Sequence, residues 1–158
     1  MGVDGRARRT AAMVRRFEAD DIESLMDVEN ESPEAAKWSK ESYLQHSKES
    51  GAVFLVTEEG GELTGFLAGR VVGEQGEIFN LAVKRGHRCL GRGKALIAQA
   101  NVEFESRGVK YVYLEVRESN TGAIAFYERQ GFTKTGRRKG YYREPDEAAV
   151  TMEKELTG

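Results

Sequence analysis

The sequence predicts an α/β (α+β) fold, a mixed sheet with helices on both faces, and three observations carry that expectation. The chain has 158 residues, the length of one domain with a real core. Its apolar pattern switches between strand and helix periods in the order strand, two helices, three strands, helix, strand, helix, two strands. One apolar run, Ile78 to Val83, leads through a glycine-bearing turn into a helix-like run, Leu96 to Arg107.

The elements follow in order. Met13 to Phe17 is a short first strand. Asp20 or Asp21 caps a helix with Ile22, Leu25, Met26 and Glu29 along one side, and Pro33 ends or bends it. Ser39 caps a second helix that runs to about Ser47. Ala52 to Thr57 is β-rich, Glu58 to Glu62 turns around Gly60-Gly61, and Leu63 to Val72 returns. Gly73 to Gly76 turns again before the strand Glu77 to Val83. In the helix after the glycine turn, Gly93, Leu96, Ile97, Ala100 and Phe104 share one stripe, and Arg107-Gly108 closes it. Tyr111 to Arg117 is a strand, and Asn120 to Gln130 a helix that Gly131 stops. Phe132 to Tyr142 and Ala148 to Glu153 form a final β pair around the polar turn Arg143 to Glu147. Met1 to Ala12 carry no apolar period and are read as a flexible leader to a single domain over residues 13–158.

Composition excludes several function classes. With 26 acidic and 24 basic residues intermixed, the chain lacks the basic bias that nucleic acid as a main partner favours. No apolar run approaches a membrane span, and no segment has the layout of a secretory signal. The expectation is a cytoplasmic protein, a monomer or weak homodimer, with neither membrane nor nucleic acid as partner. Cys89 is the only cysteine, which leaves no intramolecular disulfide, and His46 and His87 are too few and too far apart for a zinc site. No metal is expected.

The turn reads Arg88-Cys89-Leu90-Gly91-Arg92-Gly93-Lys94-Ala95. A turn that feeds a strand into a helix leaves backbone N–H groups without intrahelical partners, at the positive end of the helix dipole, a site for phosphate oxygens. Gly91 and Gly93 lack Cβ atoms, so an anion can approach the main chain, and Arg88, Arg92 and Lys94 add positive charge. A nucleoside-triphosphate loop would need glycine at position 88 and a hydroxyl at 95; these are Arg88 and Ala95. The dinucleotide pattern fails at Leu96. What remains is R-x-x-G-x-G.

From Leu114 to Phe132 the chain reads L-x-V-x-x-x-N-x-x-A-x-x-x-Y-x-x-x-G-F. Together with R-x-x-G-x-G at this distance, it resembles the GNAT acetyltransferase superfamily, over about Met13 to Glu155. Within it the chain is most similar to the ribosomal-protein-alanine N-acetyltransferases of the RimI type and their archaeal N-terminal acetyltransferase relatives. The shared wording is Ile78 to Val83, Leu114 to Arg117, Arg137-Arg138 with Tyr141-Tyr142, and Trp38-Ser39. The resemblance implies a mostly antiparallel sheet of about seven strands. It implies acetyl-CoA as donor and direct acetyl transfer to the α-amine of a protein, a ribosomal protein being one candidate acceptor. Two other readings stay open: acetylation of a small amine or lysine side chain, and a non-catalytic acetyl-CoA-binding module.

The resemblance also implies site residues. Glu115 is the general base and Tyr127 the general acid. In an extended strand Tyr111, Tyr113, Glu115 and Arg117 share one face, and the alternative for Glu115 is a pair with Arg117 or another basic chain. The alternative for Tyr127 is a core residue with its hydroxyl at the rim. Residues 88–95 hold the pyrophosphate, Leu81, Ala82 and Val83 border the pantetheine arm, and Asn120 touches the donor or caps its helix, or both. For the acceptor, Glu29, Trp38, Asn80, Tyr141 and Tyr142 are expected; alternation puts the last two rings on opposite faces. Glu29 to Trp38 form the opposite wall, with Lys37 where bacterial relatives often carry proline. Cys89 has no histidine partner in the motif and is read as a turn residue, as is His87.

Overall fold

The computed structural model describes residues 13–33, 35–88, 91–142 and 146–156; the leader, Cys89 and Leu90 lie outside the described residues. The elements are β1 (Met13–Arg16), a 3-10 turn (Ala19–Asp21), α1 (Ile22–Asn30), α2 (Lys40–Ser47), β2 (Ala52–Glu59), β3 (Glu62–Val72), β4 (Gln75–Val83), α3 (Arg92–Ser106), β5 (Tyr111–Arg117), α4 (Thr121–Arg129), β6 (Thr133–Tyr142) and β7 (Glu147–Glu155). The strands form one sheet in the order β1-β2-β3-β4-β5-β7-β6. Every pairing is antiparallel except β4 with β5. The mixed, mostly antiparallel seven-stranded sheet is thus present.

Alternation builds a core on each face. In β2, Val53 and Leu55 join α3, α4 and β5 residues in one apolar cluster. Phe54 and Val56 join Ile22, Leu25, Val28 and Tyr43 of α1 and α2 in the other. Burial on both sides is why β2 and β3 read as near-continuous apolar runs. Fully buried chains such as Phe104, Leu96 and Tyr43 each contribute about 1.5–3 kcal/mol.

The helix starts are chemically specified. Ser39 Oγ accepts the Ser42 N–H at 3.1 Å, and Asn120 Oδ1 accepts the Ala123 N–H at 3.1 Å. Asp21 is the N-cap residue of α1, but its side chain accepts no helix N–H: its carboxylate accepts the Glu18 N–H at 2.7 Å and both Arg15 Nη groups at 2.9 Å, beside a 3-10 turn ahead of the helix. The helix after the glycine turn begins at Arg92, not Leu96, because Gly91, at φ 86°, is itself the N-cap. β4 starts two residues earlier than expected, at Gln75, because the turn before it is tighter. No helix among the described residues is long and apolar enough to cross a membrane.

Two irregularities position the site. Ala68 pairs with Asn80 but Gly69 with Ile78, so Phe79 is an extra residue that bends β4. The β4–β5 ladder runs only from Gln75↔Tyr111 to Ile78↔Leu114. Beyond it Glu115 to Arg117 stay paired with β7 alone, and β4 and β5 part.

Candidate active site

Where the strands part, three concavities run together. On one side lies a cleft of about 560 Å³, bordered by Leu81, Ala82 and Val83 of β4, by Gly91, Gly93 and Lys94 at the start of α3, and by Asn120, Ala123, Phe126 and Tyr127 of α4. On the other lies one of about 620 Å³, between Ala36 to Trp38 and the pair Tyr141 and Tyr142, with Arg70, Glu77, Phe79, Tyr113 and Glu115 along its floor. A neck of about 50 Å³ shares residues with both and is lined by Glu115, Tyr127, Asn80, Asn120 and Tyr142.

The first cleft suits an anion with an extended tail. The Gly93 and Lys94 N–H groups lie in the first turn of α3, at the positive end of its dipole, and Lys94 stands exposed at the rim. Past Ile78, among the described residues, no strand pairs the β5-facing edge of β4, an opening that a linear amide-bearing chain fits. Asn120 borders the same cleft while its Oδ1 caps α4, so the two roles coexist.

The other basic residues of the turn are placed differently. Arg92 is buried, and its guanidinium pairs with Glu59, Nε lying 2.7 Å from Oε2; that neighbour holds the Glu59 carboxyl below the usual carboxylate range. Arg88 borders the cleft but donates to Val83 O and Ser32 Oγ, each at 2.9 Å, and to Glu31 O at 3.1 Å. It ties the end of β4 to the chain after α1. Ala95 lies within α3, its N–H on Gly91 O. A Cβ on Gly93 would stand 3.1 Å from Phe126 Cζ. Glycine there lets α4 pack against the start of α3, in addition to leaving room for an anion.

In the neck, the buried Tyr127 ring packs on Phe126 and Phe132 at centroid distances of 5.3 and 5.7 Å. Burial first, then the neighbouring Tyr142, push its phenol well above the ordinary range, so it stays protonated. Glu115 Oε2 accepts from Arg138 Nη1 at 2.9 Å. The nearer basic residue in sequence, Arg117, pairs with Glu147 and stacks 4.4 Å over the Tyr142 ring.

Around the second cleft, support and surface separate. Glu29 is buried, accepting the Trp38 N–H at 3.0 Å and the Tyr43 hydroxyl at 2.5 Å, and borders none of these concavities. Asn80 donates to Ala36 O and Tyr43 Oη, each at 2.9 Å, and its Oδ1 accepts the Leu81 N–H. Lys37 Nζ donates to Glu29 O at 2.7 Å and Ser32 O at 2.8 Å, closing the C-terminal end of α1. This network fixes the wall that presents Trp38, which packs on Phe79 at 5.0 Å. Tyr141 and Tyr142 are not on opposite sides as alternation predicts. They meet edge to face at 5.1 Å and border the same cleft. The β6 register slips between Arg138 and Tyr142, with Gly140 at φ 61°, and the bulge breaks the two-residue period. Among the residues that the sequence analysis did not assign to the site, Phe79 lines the second cleft and Arg138 pairs with Glu115. Phe79 lies inside the quoted run Ile78 to Val83, but its exposure to the cleft comes from the bulge.

The neck shares lining residues with both clefts, an arrangement suited to group transfer between two bound molecules. The chain belongs to the acetyltransferase (GNAT) family, which it matches over residues 19–132. Among its relatives, ribosomal protein bS18-alanine N-acetyltransferase of Escherichia coli strain K12 is 33% identical over 141 residues, 88% of this chain and 94% of that protein. The crystal structure of the ribosomal-protein-S18-alanine N-acetyltransferase from Escherichia coli superposes with TM-score 0.82 at 28% identity, covering 94% and 97% of the two chains. Ard1 from Thermoplasma volcanium superposes with TM-score 0.88 at 28% identity, covering 94% and 100%.

Proposed function

We propose that this acetyltransferase moves acetyl from acetyl-CoA to the N-terminal α-amine of a protein, a ribosomal protein whose first residue is alanine being the first candidate. The observation that carries this reading is the neck, where Glu115 and Tyr127 face the junction of the two clefts. The relatives that act as ribosomal protein bS18-alanine N-acetyltransferases support the choice of acceptor.

The residues fit the donor's chemistry. The N–H groups at the start of α3 and the Lys94 side chain suit its pyrophosphate, and the free edge of β4 suits its pantetheine amides. When bound, acetyl-CoA supplies an activated acyl carbon. Glu115 takes a proton from the acceptor nitrogen, which bonds to the acyl carbon as the carbon–sulfur bond breaks, and Tyr127 gives the departing sulfur its proton. Holding both reactants at the neck supplies about 7–11 kcal/mol of the barrier; acid–base help adds roughly 10²–10⁴-fold. The acceptor cleft, open between Trp38 and the two tyrosines, takes an extended chain end.

The test is an assay of labelled acetyl transfer to a peptide library with free and blocked N-termini, with polyamines alongside. Transfer confined to free N-termini is the expected result. Transfer to polyamines alone overturns the peptide reading, and donor binding without transfer to any acceptor overturns the enzymatic one.

A further inference from the structure

We propose that Arg138 is a positioning residue that occupies the acceptor's place on Glu115 and is exchanged for the incoming ammonium. The proposal rests on the reading of Glu115 as the group that receives the acceptor amine. Arg138 makes the ion pair recorded for Glu115 among the described residues, 2.9 Å from Oε2. Glu115 itself is nearly covered, its side chain 16% exposed, whereas that of Arg138 is 55% exposed and reaches in from the edge strand β6. The carboxylate is therefore a fixed element of the floor and its cation a movable one. The other nearby cations are engaged: Arg117 with Glu147 and Tyr142, Arg70 with Glu77 at 2.6 Å, Lys37 with two carbonyls.

The guanidinium also has somewhere to go. Its Cζ stands 4.3 Å over the Tyr141 ring, and that ring abuts Tyr142. A cation that leaves Glu115 keeps its stacking on Tyr141, on the wall of the same cleft. Because the Arg138 side of the pair lies in solvent, one cation displaces another at little cost. An acceptor carrying an ammonium has such a cation; an acetylated product has none, and Arg138 returns as the product leaves. Arg138 thus competes with a charged chain end for Glu115 and leaves a neutral one unaffected.

The test compares wild type, Arg138→Ala and Arg138→Lys. Steady-state kinetics use a free-N-terminus peptide and, in parallel, spermidine, at saturating acetyl-CoA. Calorimetry measures binding of the same peptide, free and N-acetylated, in the presence of CoA. Arg138→Ala is expected to bind the free peptide about two- to fivefold more tightly, the range an exposed ion pair commands. The gain falls in KM rather than kcat, and the acetylated peptide's affinity stays the same. Arg138→Lys restores the wild-type value. Equal changes for free and acetylated peptides, weaker binding of the free peptide, or no return with lysine would each overturn the exchange. If only spermidine is acetylated, the N-terminal reading fails, and the ranking of the three proteins on spermidine still decides the exchange.

Discussion

Tyr127 and Glu59 show how a neighbour sets what a single group does. Burial keeps the Tyr127 phenol protonated, so it remains a proton donor where an ordinary tyrosine would begin to ionise. Tyr127→Phe is expected to lower kcat by about 10²-fold while acetyl-CoA affinity, measured by calorimetry, stays unchanged. The ratio of wild-type to variant rates should hold constant between about pH 8 and 10, since the phenol does not titrate there. A ratio collapsing toward one at pH 10 would show an ordinary tyrosine. Glu59 works for stability. Its folded-state pKa lies below the unfolded value because of Arg92, so its contribution is present above about pH 4.5 and is lost as pH falls through the folded-state value. Glu59→Gln leaves a buried guanidinium short of a partner and is expected to cost about 3 kcal/mol at pH 7 in urea denaturation. The variant should also lose less stability than wild type on acidification.

At the scale of elements, the clefts depend on close approaches. α4 lies against the start of α3 because Gly93 has no side chain, the ring of Phe126 taking the space. Gly93→Val should overpack this contact by about 1–3 kcal/mol and weaken acetyl-CoA binding; adding Phe126→Leu should recover most of the stability in thermal melts. No recovery would mean that the contact does not set the spacing. Across the sheet, the Glu29–Tyr43–Asn80 network holds β4 to α2. Asn80→Ala leaves the Tyr43 hydroxyl and Ala36 carbonyl short of a donor. It is expected to raise the acceptor KM several-fold while leaving acetyl-CoA affinity near the wild-type value, a split that kinetics with each substrate varied in turn would detect.

At the scale of the whole molecule, the site exists because one parallel pair in an antiparallel sheet stops early. Four residue pairs join β4 to β5 before the strands part, and β7 enters beside β5 to hold Glu115 in place. The helices α3 and α4 line one side of the opening. The chain after α1 and the turn-proximal end of β6 line the other. The neck, which shares lining residues with both clefts, lies where the two strands part.

The order of elements, the cap residues Ser39 and Asn120, the glycine turn and the strand face of Glu115 were legible in the sequence because each depends on local periodicity or on neighbours a few residues away. What only the tertiary structure decided depends on distance in the chain. Arg138 reaches Glu115 across 23 positions and Arg92 reaches Glu59 across 33, so the charges of the turn and of the neck could not be assigned from spacing. Nor could the bulges at Phe79 and before Tyr142, since each is a register choice made against a partner strand. Alternation holds only while the ladder keeps step, and it is where the ladder slips that the cleft acquires its aromatic walls.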